Sequence, residues 1–316
     1  MKNFIVGIDM GGTFIKGGVV DFNGNLICST KTSTPIGMGA NAIAQKIGQV
    51  AENMIKEAGL GKENVIGIGI GSPGIVDKQR GEVCFAANLD IRHVPLAAMV
   101  EEQTSLPVKI ANDANCACYG EWKFGSGKKY SDLILVTLGT GVGGGIIIDN
   151  KLIEGNGCAG GEIGHMLLYK GGNQCSCGRK GCFEAYVSSG ALVRQTLEEM
   201  QHDRKTKLWK LLDESKMITP EVIFDMSEKD KLSKKIINDY IVNLSEGLVD
   251  LCNIFRPQAI ILGGGISNQG DRLIKPVSEY VNEHIFAKDM TPKVDILQAH
   301  LGNNAGIVGA ASLWAD

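Results

Sequence analysis

The sequence predicts an α/β protein of two related domains that face a common cleft. Three observations carry this. At 316 residues the chain is long for one hydrophobic core, and its 44% hydrophobic content is ample for two. Apolar strand-like runs alternate with segments of helical period along most of its length. A strand–glycine turn–strand unit near the N-terminus recurs at an offset of 128 positions, which sets Gly11 on Gly139, Gly17 on Gly145, Val19 on Ile147 and Asp21 on Asp149. Few identities carry the match, but a repeat at that distance is the pattern of two domains that each offer a glycine hairpin to one cleft.

The elements follow in order. Phe4–Asp9, Phe14–Asp21 and Leu26–Thr32 read as strands joined by glycine or Asn23-Gly24 turns. Ala42–Ala58 is a helix with Ile43, Ile47, Val50, Met54 and Ala58 on one face and Gly59 as its stop. Val65–Gly71 is an apolar strand that ends in Ser72-Pro73-Gly74, Pro95–Thr104 a short helix, Val108–Ala111 a buried strand and Ala114–Phe124 the next helix. The second hairpin, Leu133–Leu138 with Val142–Asp149, opens a mostly helical half. There the clearest helix is Lys234–Phe255, stopped by Arg256-Pro257. Ala259–Leu262 is a strand running into Gly263-Gly264-Gly265, Lys275–Phe286 a helix, Val294–Ala299 the last strand and Gly306–Trp314 a helix of small residues. The charged stretch His202–Asp230 reads as solvated helices.

Composition narrows the function classes. A net charge of -3 and a pI near 6 predict, by themselves, no polyanion affinity. No apolar run is long enough to span a bilayer, since charges or glycines interrupt each candidate. Glycine is the outlier, with 42 against 8 prolines, clustered in a few loops where backbone must approach a ligand. Cysteine number is odd, at nine, and Lys2-Asn3 runs straight into the first strand without a secretory signal, so a cytoplasmic location with reduced thiols is expected.

Within that frame, His165, Cys175, Cys177 and Cys182 form a complete tetrahedral set for Zn2+ with no open position, which marks a structural metal. Gly178 and Gly181 let the chain turn between the sulfurs. The alternatives are a disulfide or unrelated core cysteines. Glu162 and Glu184 flank this loop, so a metal would fix both carboxylates. Asp9-Met-Gly11-Gly12-Thr13 joins two strands; its backbone N–H groups and the Thr13 hydroxyl suit a phosphate, and Asp9 suits Mg2+ held through water. Gly139-Thr140-Gly141 repeats that chemistry, and Gly263-Gly264-Gly265 ends a strand as a further nucleotide-edge loop. Neither a Walker loop nor a dinucleotide fingerprint is present. Asp113, between a buried strand and a helix, is both a good N-cap and a candidate general base for a hydroxyl nucleophile. With Asn88, Asn112, Glu162, His165 and Glu184 it makes a set of amides and carboxylates suited to the vicinal hydroxyls of a sugar; Asn88 alone reads equally well as a loop residue satisfying backbone.

On these residues the chain resembles the ROK family of sugar kinases and repressors, within the actin/hexokinase/heat-shock ATPase fold. The likeness rests on Asp9–Lys16, Ser72-Pro73-Gly74, Asn112–Asn115, Gly139–Gly145, Gly160–His165, Cys175–Glu184 and Gly263–Ile266 and covers nearly the whole chain. It implies two actin-like (ribonuclease-H-like) domains, with residues 1–114 and a returning C-terminal helix 303–316 as the smaller and 115–302 as the larger, carrying the zinc loop. It implies Asp113 as catalytic base. Gly74, Asn88, Asn112, Asp113, Glu162, His165 and Glu184 would bind the sugar, and Asp9, Gly11, Gly12, Thr13, Lys16, Thr140, Gly141, Gly264 and Gly265 would hold ATP with Mg2+. A homodimer or homotetramer is implied as well.

The expected reaction is ATP-dependent phosphorylation of a hexose at the 6-hydroxyl. Ala87-Asn88-Leu89 followed by Val94-Pro95-Leu96 looks like the glucokinase branch, although Ala111 stands where glucokinases of this family often have Glu. Kinases for N-acetylmannosamine, N-acetylglucosamine, allose or fructose are the alternatives. A sugar-responsive repressor is the other class; the family's repressors carry a helix-turn-helix before the first strand, and here that strand begins at about Phe4. No nucleic-acid or membrane partner is expected.

Overall fold

A computed structural model describes residues 3–214 and 217–315; Met1, Lys2, Ser215, Lys216 and Asp316 lie outside the described residues, the middle pair within the charged stretch His202–Asp230. The chain divides into two compact units. The first comprises Met1–Ser131, Gly145–Gly161 and His300–Asp316, the second Asp132–Gly144 and Glu162–Ala299.

The first unit opens with β1 (Phe4–Met10), β2 (Phe14–Asp21) and β3 (Leu26–Ser33), an antiparallel meander. Their burial follows from pattern. β1 is almost continuously apolar and buried, whereas β3 alternates half-buried and exposed residues as an edge strand does. Helix α1 (Gly39–Glu57) buries Ile43, Ile47, Val50 and Met54, the face expected from its 3.6-residue period. Strand β4 (Val65–Ser72) then pairs in parallel with β1, setting Asp9 opposite Gly71.

A small antiparallel sheet follows, of β5 (Ile75–Asp77), β6 (Glu82–Ala86) and β7 (Ile91–Val94). Helix α2 (Leu96–Thr104) leads to β8 (Val108–Asn112), which pairs in parallel with β4 so that Ser72 faces Asn112. Helix α3 (Asp113–Phe124) starts directly from that strand. The main sheet has the order β3-β2-β1-β4-β8. Its three parallel strands end side by side at Asp9, Gly71–Ser72 and Asn112, the edge at which open α/β sheets bind ligands.

In the second unit, β9 (Leu133–Leu138) precedes β10 (Val142–Ile148), which carries the chain into the first unit at Gly144–Gly145. There β11 (Lys151–Leu152) makes a hairpin with the end of β10. Back in the second unit lie α4 (Glu184–Val187), α5 (Ser189–His202), α6 (Leu208–Asp213), α7 (Pro220–Met226) and α8 (Lys231–Phe255). Helix α8 is capped by Asp230, whose carboxylate accepts the Ser233 N–H at 2.9 Å, and buries Ile237, Tyr240, Leu244, Leu248 and Leu251. Strand β12 (Ala259–Gly263) is wholly buried and runs parallel to both β9 and β13 (Asp295–Gln298), with α9 (Asp271–His284) between the last two in sequence. Among the described residues no helix is long and apolar enough to cross a membrane.

The C-terminal α10 (Ala305–Ser312) belongs to the first unit. It packs on β1 and β4 by direct backbone approach. A Cβ on Gly7 would lie 2.0 Å from the Ile307 carbonyl oxygen, and one on Gly69 would lie 1.8 Å from that of Ala310. The buried carboxylate of Glu121 holds this return, accepting the N–H groups of His300 at 3.1 Å and Leu301 at 2.7 Å.

Candidate functional site

In the first unit the site residues gather at the carboxyl ends of β1, β4 and β8. Asp9 stands next to last in β1 with one carboxylate oxygen 3.0 Å from the Lys16 ammonium, across the β1–β2 pair. Gly306 of α10 approaches so closely that a Cβ there would sit 2.5 Å from the Asp9 carboxyl carbon. The turn after Asp9 is closed by the Gly11 N–H donating to the Phe14 carbonyl at 2.9 Å, while the Thr34 hydroxyl donates to the Gly11 carbonyl at 2.8 Å. Thr13 is exposed in that turn. Gly12 lies against Asn88, where an added Cβ would come 3.3 Å from the Asn88 Cβ.

The small sheet β5-β6-β7 explains how Gly74 and Asn88 reach this edge. Gly74 leads into β5, and Asn88 sits in the single turn Ala87–Leu89 between β6 and β7. Gly74 has φ +85°, and a Cβ there would fall 2.0 Å from the Phe85 carbonyl oxygen. Its own carbonyl accepts the Asn112 side-chain amide at 3.0 Å. Gly74→Ala is therefore expected to destabilise the protein by at least about 2 kcal/mol in urea unfolding, because both backbone and carbonyl must shift. An unchanged unfolding midpoint would contradict this.

Asn112, not Asp113, caps α3. Its side-chain oxygen accepts the N–H groups of Ala114 at 2.9 Å and Asn115 at 3.1 Å, and Asp113 is the first helical residue. The expectation that Asp113 is the cap and Ala114 the start is corrected by one residue. The reason is that Asn112 already has the extended backbone that a capping residue needs. One oxygen of Asp113 accepts the Ala114 N–H at 2.8 Å, which further fixes the carboxylate.

In the second unit the glycine loop after β9 is held from two sides. The Gly139 carbonyl accepts both the backbone N–H and the hydroxyl of Ser189, each at 2.8 Å, and the Gly143 N–H donates to the Thr137 hydroxyl at 3.1 Å. Gly264, at φ +81°, follows β12 so tightly that a Cβ would lie 2.4 Å from the Leu138 carbonyl oxygen; around Gly265 the space is open. Thr140 is exposed beside them. Sequence reasoning singled out neither Thr137 nor Ser189, although Ser188-Ser189-Gly190 carries the helix-start chemistry that marks the N-terminus of α5. A cavity of about 710 Å³ lies along that helix, lined by Ser189, Gly190, Val193, Leu197, Met217 and Ile218.

The side chains of His165, Cys175, Cys177 and Cys182 converge in this unit, with one donor atom from each inside a 4.8 Å envelope. The Cys175 sulfur is 3.7 Å from His165 Nδ1, and the Cys177 and Cys182 sulfurs are 3.6 Å apart. A tetrahedral zinc with arms of about 2.3 Å needs ligand edges of roughly 3.7 Å, so the set fits the ion. Burial raises the Cys175 thiol and pushes Cys182 up to about 12, while the Arg179 backbone N–H lowers Cys177.

Glu184 sits between this loop and the glycine loop. One oxygen accepts the Ser176 hydroxyl at 2.7 Å and the other accepts the Val142 N–H at 3.0 Å; a Cβ on Gly141 would lie 2.5 Å from it. Ser176, between two of the sulfurs, is the contact that sequence reasoning missed. Glu162 is exposed and precedes the single turn Ile163–His165.

The architecture defines a two-unit α/β protein with a glycine loop and a carboxylate at the strand ends of each unit. The ROK family model matches residues 5–316, and the chain belongs to the ROK family. It is 39% identical to a glucokinase of Streptomyces coelicolor, over 98% of this chain and 96% of that one. It is 33% identical to a xylose repressor of Caldicellulosiruptor bescii, over 98% of this chain but 77% of that one. A ROK family glucokinase from Streptomyces griseus, solved in complex with glucose and AMPPNP, superposes with a TM-score of 0.85 at 36% identity, covering 98% of each chain. The actin-like fold expected from the sequence is the fold of these relatives.

Proposed function

We propose that this protein is an ATP-dependent glucokinase that transfers the γ-phosphoryl group of ATP to the 6-hydroxyl of glucose. The observation that carries the reading is the Asp113 carboxylate, fixed by a capped helix start at the end of β8. It stands on a chain 39% identical to a glucokinase along almost its whole length.

In this reaction the sugar's 6-oxygen attacks the γ-phosphorus, the bond from phosphorus to the ADP oxygen breaks, and Asp113 accepts the hydroxyl proton. Positioning and charge neutralisation supply the rest. Gly74, Asn88, Asn112 and Asp113 are the sugar-binding groups of the first unit, and Glu162, His165 and Glu184 those of the second. Gly11, Gly12 and Thr13 present N–H and hydroxyl donors to phosphate, as do Thr140 and Gly141. Gly264 and Gly265 receive the nucleoside, whose base the apolar cavity along α5 suits in size and lining. Lys16 orients the Asp9 carboxylate through their ion pair, and Asp9 would hold Mg2+, which would supply charge neutralisation on the phosphates.

Zinc is assigned to His165, Cys175, Cys177 and Cys182 as a structural ion. Its role is to hold Ser176 and, through it, Glu184. Thiols raised by burial must lose their protons to bind the metal, so protons compete with zinc. The apparent zinc affinity is expected to fall as pH falls, by about tenfold per pH unit for each thiol still protonated. Competition with a chromophoric chelator across pH measures this; a flat profile would contradict the assignment. The expected assembly is a homodimer or homotetramer, which light scattering reads directly.

The function itself is tested by ADP release with magnesium-ATP across glucose, mannose, fructose, allose, N-acetylglucosamine and N-acetylmannosamine. Glucose is expected to give the highest kcat/KM. Preference for an N-acetylated sugar would keep the chemistry and overturn the substrate.

A further inference from the structure

A second cavity, of about 990 Å³, lies entirely within the first unit, along the Asn115–Tyr119–Trp122 face of α3. It is large enough for a small metabolite. Among the described residues four lysines line it, Lys78, Lys109, Lys123 and Lys151, against one carboxylate, that of Glu154. The chain as a whole carries a net charge of -3, so this concavity gathers positive charge against the overall balance. The lysines come from separate pieces of chain: the loop after β5, strand β8, helix α3 and strand β11.

Three of them are held in place. Lys78 pairs with Glu154. Lys109 donates to the Leu313 carbonyl at 2.8 Å and lies 4.6 Å from the ring centre of Trp314. Lys123 lies 4.3 Å from that of Trp122. Lys151 follows a hairpin turn whose Asp149 and Asn150 take φ of 50° and 59°, a tight conformation that fixes where the strand starts. The cavity wall also includes Asn115, only 5% exposed.

We propose that this cavity binds a small phosphate-bearing anion, at a site separate from the phosphate loops of Asp9–Thr13 and Gly139–Gly141. Ammonium groups converge as compact point charges on phosphate oxygens, and the Asn115 amide supplies a neutral donor at the wall. The site does not depend on the kinase reading.

Calorimetric titration of pyrophosphate into the full-length protein tests this, beside the Lys109→Gln/Lys151→Gln double variant and the single Lys151→Glu variant on the exposed hairpin. Parallel titrations with glucose 6-phosphate and AMP separate a sugar phosphate from a nucleotide as the natural source. The expected result is salt-sensitive pyrophosphate binding that weakens about tenfold or more in both variants. The ADP-release KM values for ATP and glucose should stay within about twofold, which separates this site from the nucleotide loops. Pyrophosphate affinity equal in wild type and variants, or no binding at millimolar concentration, would overturn the proposal.

Discussion

Asp113→Asn is expected to lower kcat with glucose by a factor of about 10² to 10⁴, the usual worth of a positioned general base. Glucose affinity is expected to change by less than about threefold. The split follows from what the side chain does. An amide can still accept the Ala114 N–H that Asp113 accepts at 2.8 Å, and Asn112 still caps the helix, so the strand-to-helix corner keeps its shape. What is lost is the ability to take a proton from the attacking hydroxyl. Steady-state ADP release gives kcat, and calorimetry gives sugar binding. Turnover within tenfold of wild type would remove Asp113 from the role of base; loss of sugar binding in proportion to turnover would make it a binding residue instead.

Cys182→Ser is expected to abolish stoichiometric zinc and to raise the glucose KM by about 10- to 100-fold, with a lower thermal midpoint. Cys182 is buried, and its sulfur closes the set with Cys177 at 3.6 Å. Without the ion the loop keeps only hydrogen bonds such as Cys175 N–H to the Arg179 carbonyl at 2.9 Å and Gly178 N–H to the Cys175 carbonyl at 3.1 Å, and the 2.7 Å bond from Ser176 to Glu184 is expected to loosen. Glu184 then keeps its Val142 tether at 3.0 Å and a weak contact from the Cys175 thiol at 3.6 Å. Ser176→Ala isolates that link. It should retain zinc and show an intermediate rise in KM, a readout that global unfolding would not reproduce. Zinc-free protein with an unchanged KM would show that the metal loop and Glu184 are uncoupled.

Much of this was legible in the sequence, for identifiable physical reasons. Strands β1 and β2 and the buried stripe of α8 carry strong periodicity, so their places were readable to within a few residues. The convergence of His165, Cys175, Cys177 and Cys182 was legible because thiols and imidazole at that spacing have little else to do in a glycine-rich loop. The small sheet β5-β6-β7 was not, since strands of three to five residues are too short to show alternation. Helix α9 begins at Asp271 and carries Pro276 inside, whereas sequence reading began it at Lys275. The Ser176–Glu184 link and the Gly139 loop tied down by Ser189 were not legible, since nothing in the sequence says which hydroxyl meets which acceptor until the chain folds. The crossings between units, at Ser131–Asp132, Gly144–Gly145, Gly161–Glu162 and Ala299–His300, depend on which contacts form and leave no shift in composition behind.

The most direct test of the central claim is the identity of the product formed from uniformly ¹³C-labelled glucose and magnesium-ATP, read by ³¹P and ¹³C NMR. The expected result is a phosphomonoester whose phosphorus couples to carbon 6, formed in step with ADP and abolished in Asp113→Asn. Phosphorus on another carbon, or ADP accompanied only by inorganic phosphate, would contradict the account.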